Sequence, residues 1–193
     1  MQTPTHIVAG VLIQKAFTGK NRALTVAATA VVGFLSHGFL DKLSQITYHP
    51  PKPDFHSAFW ICYHSTLLVT AILFIRLWWR QYKWGIIFAN LPDVDWIFIH
   101  TQEIFHFKIP FYTRPHMHDL LGYIYEKIPP FSFITPYLDR LPSERHQPWA
   151  CLWEVLLVGL MLMVFWLLTL ARSYQPGQIG TGEAAGVSMT DDE

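Results

Sequence analysis

The chain has 193 residues, enough for one domain and a tail, and only 15% of them are charged, against roughly a quarter in soluble domains. Lys plus Arg and Asp plus Glu balance at 14 each, so the charge gives no support to nucleic-acid binding or to a basic membrane patch. Cys62 and Cys151 lie inside apolar runs, which argues against a disulfide framework and a cysteine-based zinc site.

In chain order, the first apolar stretch is "THIVAGVLIQKAF" (Thr5 to Phe17), too short to cross a bilayer and expected as a half-buried helix. It follows an N-terminus without a basic n-region or small-residue cleavage site, so no cleavable signal peptide is expected. "ALTVAATAVVGFLSHGFL" (Ala23 to Leu40) is long enough to cross, and "AFWICYHSTLLVTAILFIRLWW" (Ala58 to Trp79) crosses comfortably. "WGIIFANLPDVDWIFIH" (Trp84 to His100) is marginal, because Pro92 must kink or break it. Irregular backbone at membrane depth needs protein or a watery cavity around it, so "ANLPDVDW" is expected to line a site.

Residues 101–148 are rich in proline and aromatics and are expected as short helices and loops on the membrane surface. "VLLVGLMLMVFWLLTLA" (Val155 to Ala171) has no charge and, with "WACLWE" before it, approaches the roughly 20 residues of a bilayer span. The small, polar, acidic stretch 173–193 is expected to be disordered. The expected fold is an all-α integral membrane protein: a bundle of four or five transmembrane or half-buried helices over residues 1–172, with an extracytoplasmic aromatic and Pro-rich segment.

Basic residues orient it. Lys15, Lys20 and Arg22 cluster in the first turn, Arg76, Arg80 and Lys83 in the third, and Arg172 follows the last span. The positive-inside rule puts these in the cytoplasm, with the N-terminus outside and the C-terminus inside a cell membrane. At about 1.5 Å per residue, every ionisable group inside the spans then falls in the outer third. His6, His37, Asp41, His64, Asp93, Asp95 and Glu154 reach one level from five segments of the chain.

Ionisable residues there cost about 2.5–3.5 kcal/mol each on insertion scales, so they normally pair or face a cavity at a functional site. Imidazoles with carboxylates are also the donor set of a divalent metal, zinc first. His37 and Asp41, four apart, share a helix face and could hold one ion. Asp93 and Asp95 point the same way only if the backbone after Pro92 is irregular. The plainer readings are a hydrogen-bonded His37–Asp41 pair, Asp93 as a helix cap, and "PHMHD" (Pro115 to Asp119) as a helix start.

"PTHIVAGVL", "GFLSHGFLDKL", "CYHSTLL" and "FANLPDVDWI" together resemble motifs of a family, the membrane-bound hydrolases of bacteria classed as metal-dependent. The resemblance covers the first half to two-thirds of the chain. Here the Ser-His-x-x-x-Asp string precedes Pro-Asp-x-Asp, whereas in that family it follows. The resemblance implies metal ligation by His6, His37, Asp41, Asp93 and Asp95, with His64 and His118 competing for one further place. The helical His-x-x-x-Asp pair is also distantly similar to that of zinc-dependent phospholipases C and related nucleases.

The resulting expectation is a membrane-embedded hydrolase that uses a divalent metal, zinc first, on an amphiphilic, lipid-like substrate such as a phosphoester at the outer leaflet. Its metal ligands are drawn from His6, His37, Asp41, His64, Asp93 and His118, and Asp95 or Glu154 is the general base. Membrane lipids are its expected surroundings. The alternatives are a proton- or metal-handling transporter and a non-catalytic scaffold, and the apolar inner halves of the last two long spans speak against transport.

Overall fold

The shortest apolar stretch of the sequence forms the centre of the fold. In the computed structural model, which describes residues 2–19, 21–50, 54–110 and 112–173, helix α1 runs over Thr3–Phe17 and packs against the three long helical segments around it. Its Ile7, Val8 and Val11 are completely buried. The helix was expected to be half-buried because it is short. It is instead enclosed, because the longer elements surround it.

Helix α2 (Arg22–Leu43) starts at Asn21, whose side chain accepts the Ala23 N–H, satisfying one of the free donors of the first turn. Helix α3 (Ala58–Asn90) starts the same way on Ser57, which accepts from Trp60. A 3-10 turn over Leu91–Asp93, set by Pro92, joins α3 to α4 (Val94–Phe105). The Pro-rich stretch contributes α5 (His116–Lys127) and α6 (Phe131–Leu138), and α7 (Cys151–Ser173) closes the fold. Among the described residues there is no strand. The expected tail lies outside the described residues beyond Ser173, as does Lys20.

Three segments are long and apolar enough to cross a membrane: Arg22–Ile46, Ala58–Phe105 and Pro148–Ala171. Their large apolar side chains, such as Leu68 and Leu73 of α3 and Val155 and Leu156 of α7, face outward rather than into a core. Such a surface is at home in lipid.

The 33-residue α3 is not straight. Tyr82 has non-helical dihedrals (φ −126°, ψ 28°). One core cluster unites Ile7 and Val11 with both Ala71 and Ile86, residues that a straight helix would hold about 22 Å apart. The chain therefore doubles back at Tyr82, where the sequence places the basic run of Arg76, Arg80 and Lys83.

Gln14 stabilises this bend. In an unbroken helix the Gly85 N–H would bond the Gln81 carbonyl. Here the Gln14 amide stands between them, accepting from Gly85 N (2.7 Å) and donating to Gln81 O (3.0 Å). The insertion needs α1 against the bend, and a Cβ built on either Gly10 or Gly85 would overlap the other's carbonyl. Gln14→Leu, which keeps the bulk and removes both bonds, should cost about 1–3 kcal/mol. The drop in thermal midpoint of the detergent-purified protein measures it; an unchanged midpoint would show that the bend holds without Gln14.

Candidate functional site

Four pieces of chain converge beside the N-terminal half of α1. Helix α1 brings His6, α2 brings His37 and Asp41 one turn apart on one face, the 3-10 turn brings Asp93, and the first turn of α5 brings His118. The His6 and His37 rings are fully buried and stack with centroids 4.0 Å apart. Asp41 reaches all three imidazoles. Its Oδ2 lies 3.2 Å from His37 Nε2 and 3.5 Å from His118 Nε2, and its Oδ1 lies 3.5 Å from His6 Nε2. Asp93 Oδ1 is 3.5 Å from His37 Nε2.

The protons on these rings follow from their neighbours. His37 Nδ1 lies 2.8 Å from the Ala89 carbonyl, which can only accept, so Nδ1 carries a proton. In the neutral ring Nε2 then keeps a lone pair, buried, without a hydrogen bond, and facing two carboxylates. Neither ring nitrogen of His6 has a hydrogen-bond partner. Leaving buried acceptors unpaired costs about 1–3 kcal/mol each. A cation among these groups would satisfy the lone pairs and relieve their opposition to Asp41 and Asp93.

The spacing suits such an ion. Tetrahedral zinc with bonds of about 2.0–2.1 Å holds its ligand atoms roughly 3.3 Å apart, and four imidazole–carboxylate pairs here are separated by 3.2 to 3.5 Å. Two overlapping sets, His6–His37–Asp93 and His37–Asp41–His118, each have ligand atoms within 4.8 Å of one another, with His37 common to both.

His118 is held from behind. Its Nδ1 lies 3.2 Å from Asp95 Oδ2, and the same oxygen accepts the backbone N–H groups of Met117 (2.7 Å) and His118 (3.0 Å). Tyr112 donates its hydroxyl to the other oxygen. Asp95 is thus a side-chain cap for α5 supplied from α4, and it also fixes the His118 ring. Burial opposes protonation of His118, but the carboxylates of Asp41 and Asp95 outweigh it and hold its pKa above the ordinary histidine value. When Nε2 is unprotonated, the Trp96 indole N–H donates to it (3.2 Å).

Not every expected residue joins the cluster. Asp95 was expected as a ligand or general base. Its completely buried carboxylate is fully engaged by α5 and Tyr112, so it serves to position. His64 was expected to compete with His118; it lies elsewhere, stacked on Trp60 with Nδ1 2.9 Å from the Trp60 carbonyl. Glu154, the other expected base, is also tied down. It accepts from the Gln2 N–H (3.0 Å), the Thr5 hydroxyl and the Tyr63 hydroxyl (3.4 Å), fastening the start of α1 to α3 and α7.

The sequence reading did not anticipate Ala89, Tyr112 or Trp96. A backbone carbonyl carries no residue signature, and Tyr112 and Trp96 are two aromatics among many. "PHMHD" is a helix start, as its plainer reading had it, and its His118 lies in the first turn of α5. Compared with known protein families, curated proteins and solved structures, the chain matches none.

Proposed function

We propose that the chain is a membrane-embedded, metal-dependent hydrolase whose site opens on the outer-leaflet side and whose substrate is amphiphilic. The carrying observation is the buried His6–His37 stack, in which the unpaired Nε2 of each ring faces Asp41 and that of His37 also faces Asp93. The resemblance of its short motifs to the membrane-bound, metal-dependent hydrolases agrees with this reading.

The bend at Tyr82 supports four crossings: α2, the two arms of Ala58–Phe105, and the last segment, with α1 enclosed as a fifth helix. Arg22, Arg80 and Lys83 line one cavity, so both basic clusters lie at one end of the molecule. Placing that end in the cytoplasm puts the N-terminus, the His/Asp cluster and the 101–148 segment outside, and the C-terminus inside.

His6, His37 and Asp93 would hold the ion, with Asp41 beside it, zinc by donor type. The chemistry it supplies is Lewis acidity: water activated near neutral pH and a polarised phosphoryl or acyl oxygen. His118 borders a cavity together with Asp41, and it moves the proton. With Nδ1 held by Asp95, its Nε2 is the atom that delivers a proton to the leaving oxygen.

These roles separate by experiment. His118→Ala should retain the metal and lose roughly 100-fold or more in hydrolysis, the lower bound usual for a general acid–base group. The comparison uses metal content and chelator-sensitive hydrolysis of esterified amphiphiles by the same preparations. Full activity in His118→Ala, or activity indifferent to chelators, would refute the reading.

A further inference from the structure

One cavity adjoins the cluster and has its own chemical character. It measures about 280 Å³, and Asp41, His118, Lys42 and Arg145 are among its lining residues. This is at or just below the small end of ligand pockets, roughly 300–1,000 Å³, so it takes a head group and leaves any tail outside.

Its walls are built rather than accidental. Gly38 lets the Tyr125 ring come close, since a Cβ there would stand 2.8 Å from the ring, and the Tyr125 hydroxyl is anchored on the Leu35 carbonyl (2.8 Å). Arg145 is pinned through its backbone. Its carbonyl accepts the His49 N–H (3.0 Å), and the neighbouring Glu144 N–H donates to the Gln45 carbonyl (2.7 Å). The Arg145 Nε–H is buried without an acceptor. Lys42 contacts Asp139 (Nζ to Oδ1 2.9 Å), a half-exposed pair of the kind that contributes little and is readily exchanged.

We propose that this cavity seats a phosphomonoester head group, with its phosphate beside Asp41 and His118 and against the cations of Lys42 and Arg145. The proposal rests on the hydrolase reading above and names its substrate class. A phosphomonoester carries about −1.5 to −2 charge near neutral pH, which two cations match and one ordinary carboxylate ester would not require. The planar guanidinium fork suits phosphate oxygens. In the reaction, the water oxygen forms the new bond to phosphorus and the P–O bond to the alcohol breaks. The alcohol leaves with one proton, and inorganic phosphate remains.

Gly122 provides a direct test. It lines the cavity, and a Cβ added to it meets nothing within 4 Å, so Gly122→Leu should fill the space. Replacing a glycine within α5 also favours the helix, which guards against a folding failure. The experiment titrates inorganic phosphate into the zinc-loaded, full-length protein in nanodiscs, for the wild type, Gly122→Leu and Arg145→Gln.

Phosphate should bind the wild type and bind each variant at least tenfold more weakly, with zinc content unchanged. Phosphatidic acid in the nanodisc should compete with phosphate, whereas phosphatidylcholine should not. Equal binding in all three proteins, or zinc binding without phosphate binding, overturns this inference and leaves the metal reading intact. Failure of the wild type to hold zinc overturns both. Phosphate binding without competition from phosphatidic acid refutes a lipid source and assigns the cavity to soluble phosphomonoesters.

Discussion

His37→Ala is expected to abolish the stabilisation that zinc confers on the protein. His37 is the one residue common to both candidate ligand sets, and its ring is oriented in advance by the Ala89 carbonyl. Losing an outer partner of a ligand typically costs 10–100-fold in metal affinity, and losing the shared ligand should cost more. At free zinc 100 times its dissociation constant, the wild type should gain about 2.7 kcal/mol from binding. Its melting temperature should therefore rise with zinc, and that of His37→Ala should not. Equal rises would move the ion away from this cluster.

Asp95 and Asp93 should separate cleanly, although only one residue lies between them. Asp95→Ala leaves the His118 ring, two backbone N–H groups and the Tyr112 hydroxyl without their acceptor, all around a fully buried position. Removing one side of such a buried charged network typically costs about 3–5 kcal/mol. Asp93 has a side chain about one-third exposed and approaches His37 Nε2 at 3.5 Å. Asp93→Ala should leave apo stability within about 1 kcal/mol of the wild type while weakening zinc binding. Thermal midpoints of the two apo variants, with zinc titrations of each, test this. A severe loss in Asp93→Ala with a mild one in Asp95→Ala would reverse the roles assigned here.

Those two aspartates also show where sequence reasoning stops. Pro92 announced irregular backbone, and the spacing of Asp93 and Asp95 allowed both to point into one site. The 3-10 turn ends at Asp93, so Asp95 enters α4 and turns toward the start of α5. His37 and Asp41 were legible together because helical spacing fixes their common face. The depth estimate put His64 and Glu154 at one level with His37 and Asp41 but could not supply a direction around the bundle. Thr5 and His6 are consecutive on α1, yet one bonds Glu154 and the other faces Asp41. Height follows from counting residues, whereas direction depends on how the helices pack. Gln14 was hidden for the same reason, because its partners belong to a bend far along the chain.

The central claim is that the His6, His37 and Asp93 side chains, with Asp41 beside them, hold a divalent metal. Elemental analysis of the full-length protein, purified in mild detergent and loaded with zinc before desalting, tests it most directly. The account predicts close to one tightly held ion per chain, removable by a chelator and restored on reloading. Zinc well below stoichiometry in a folded preparation, before and after reloading, would contradict it.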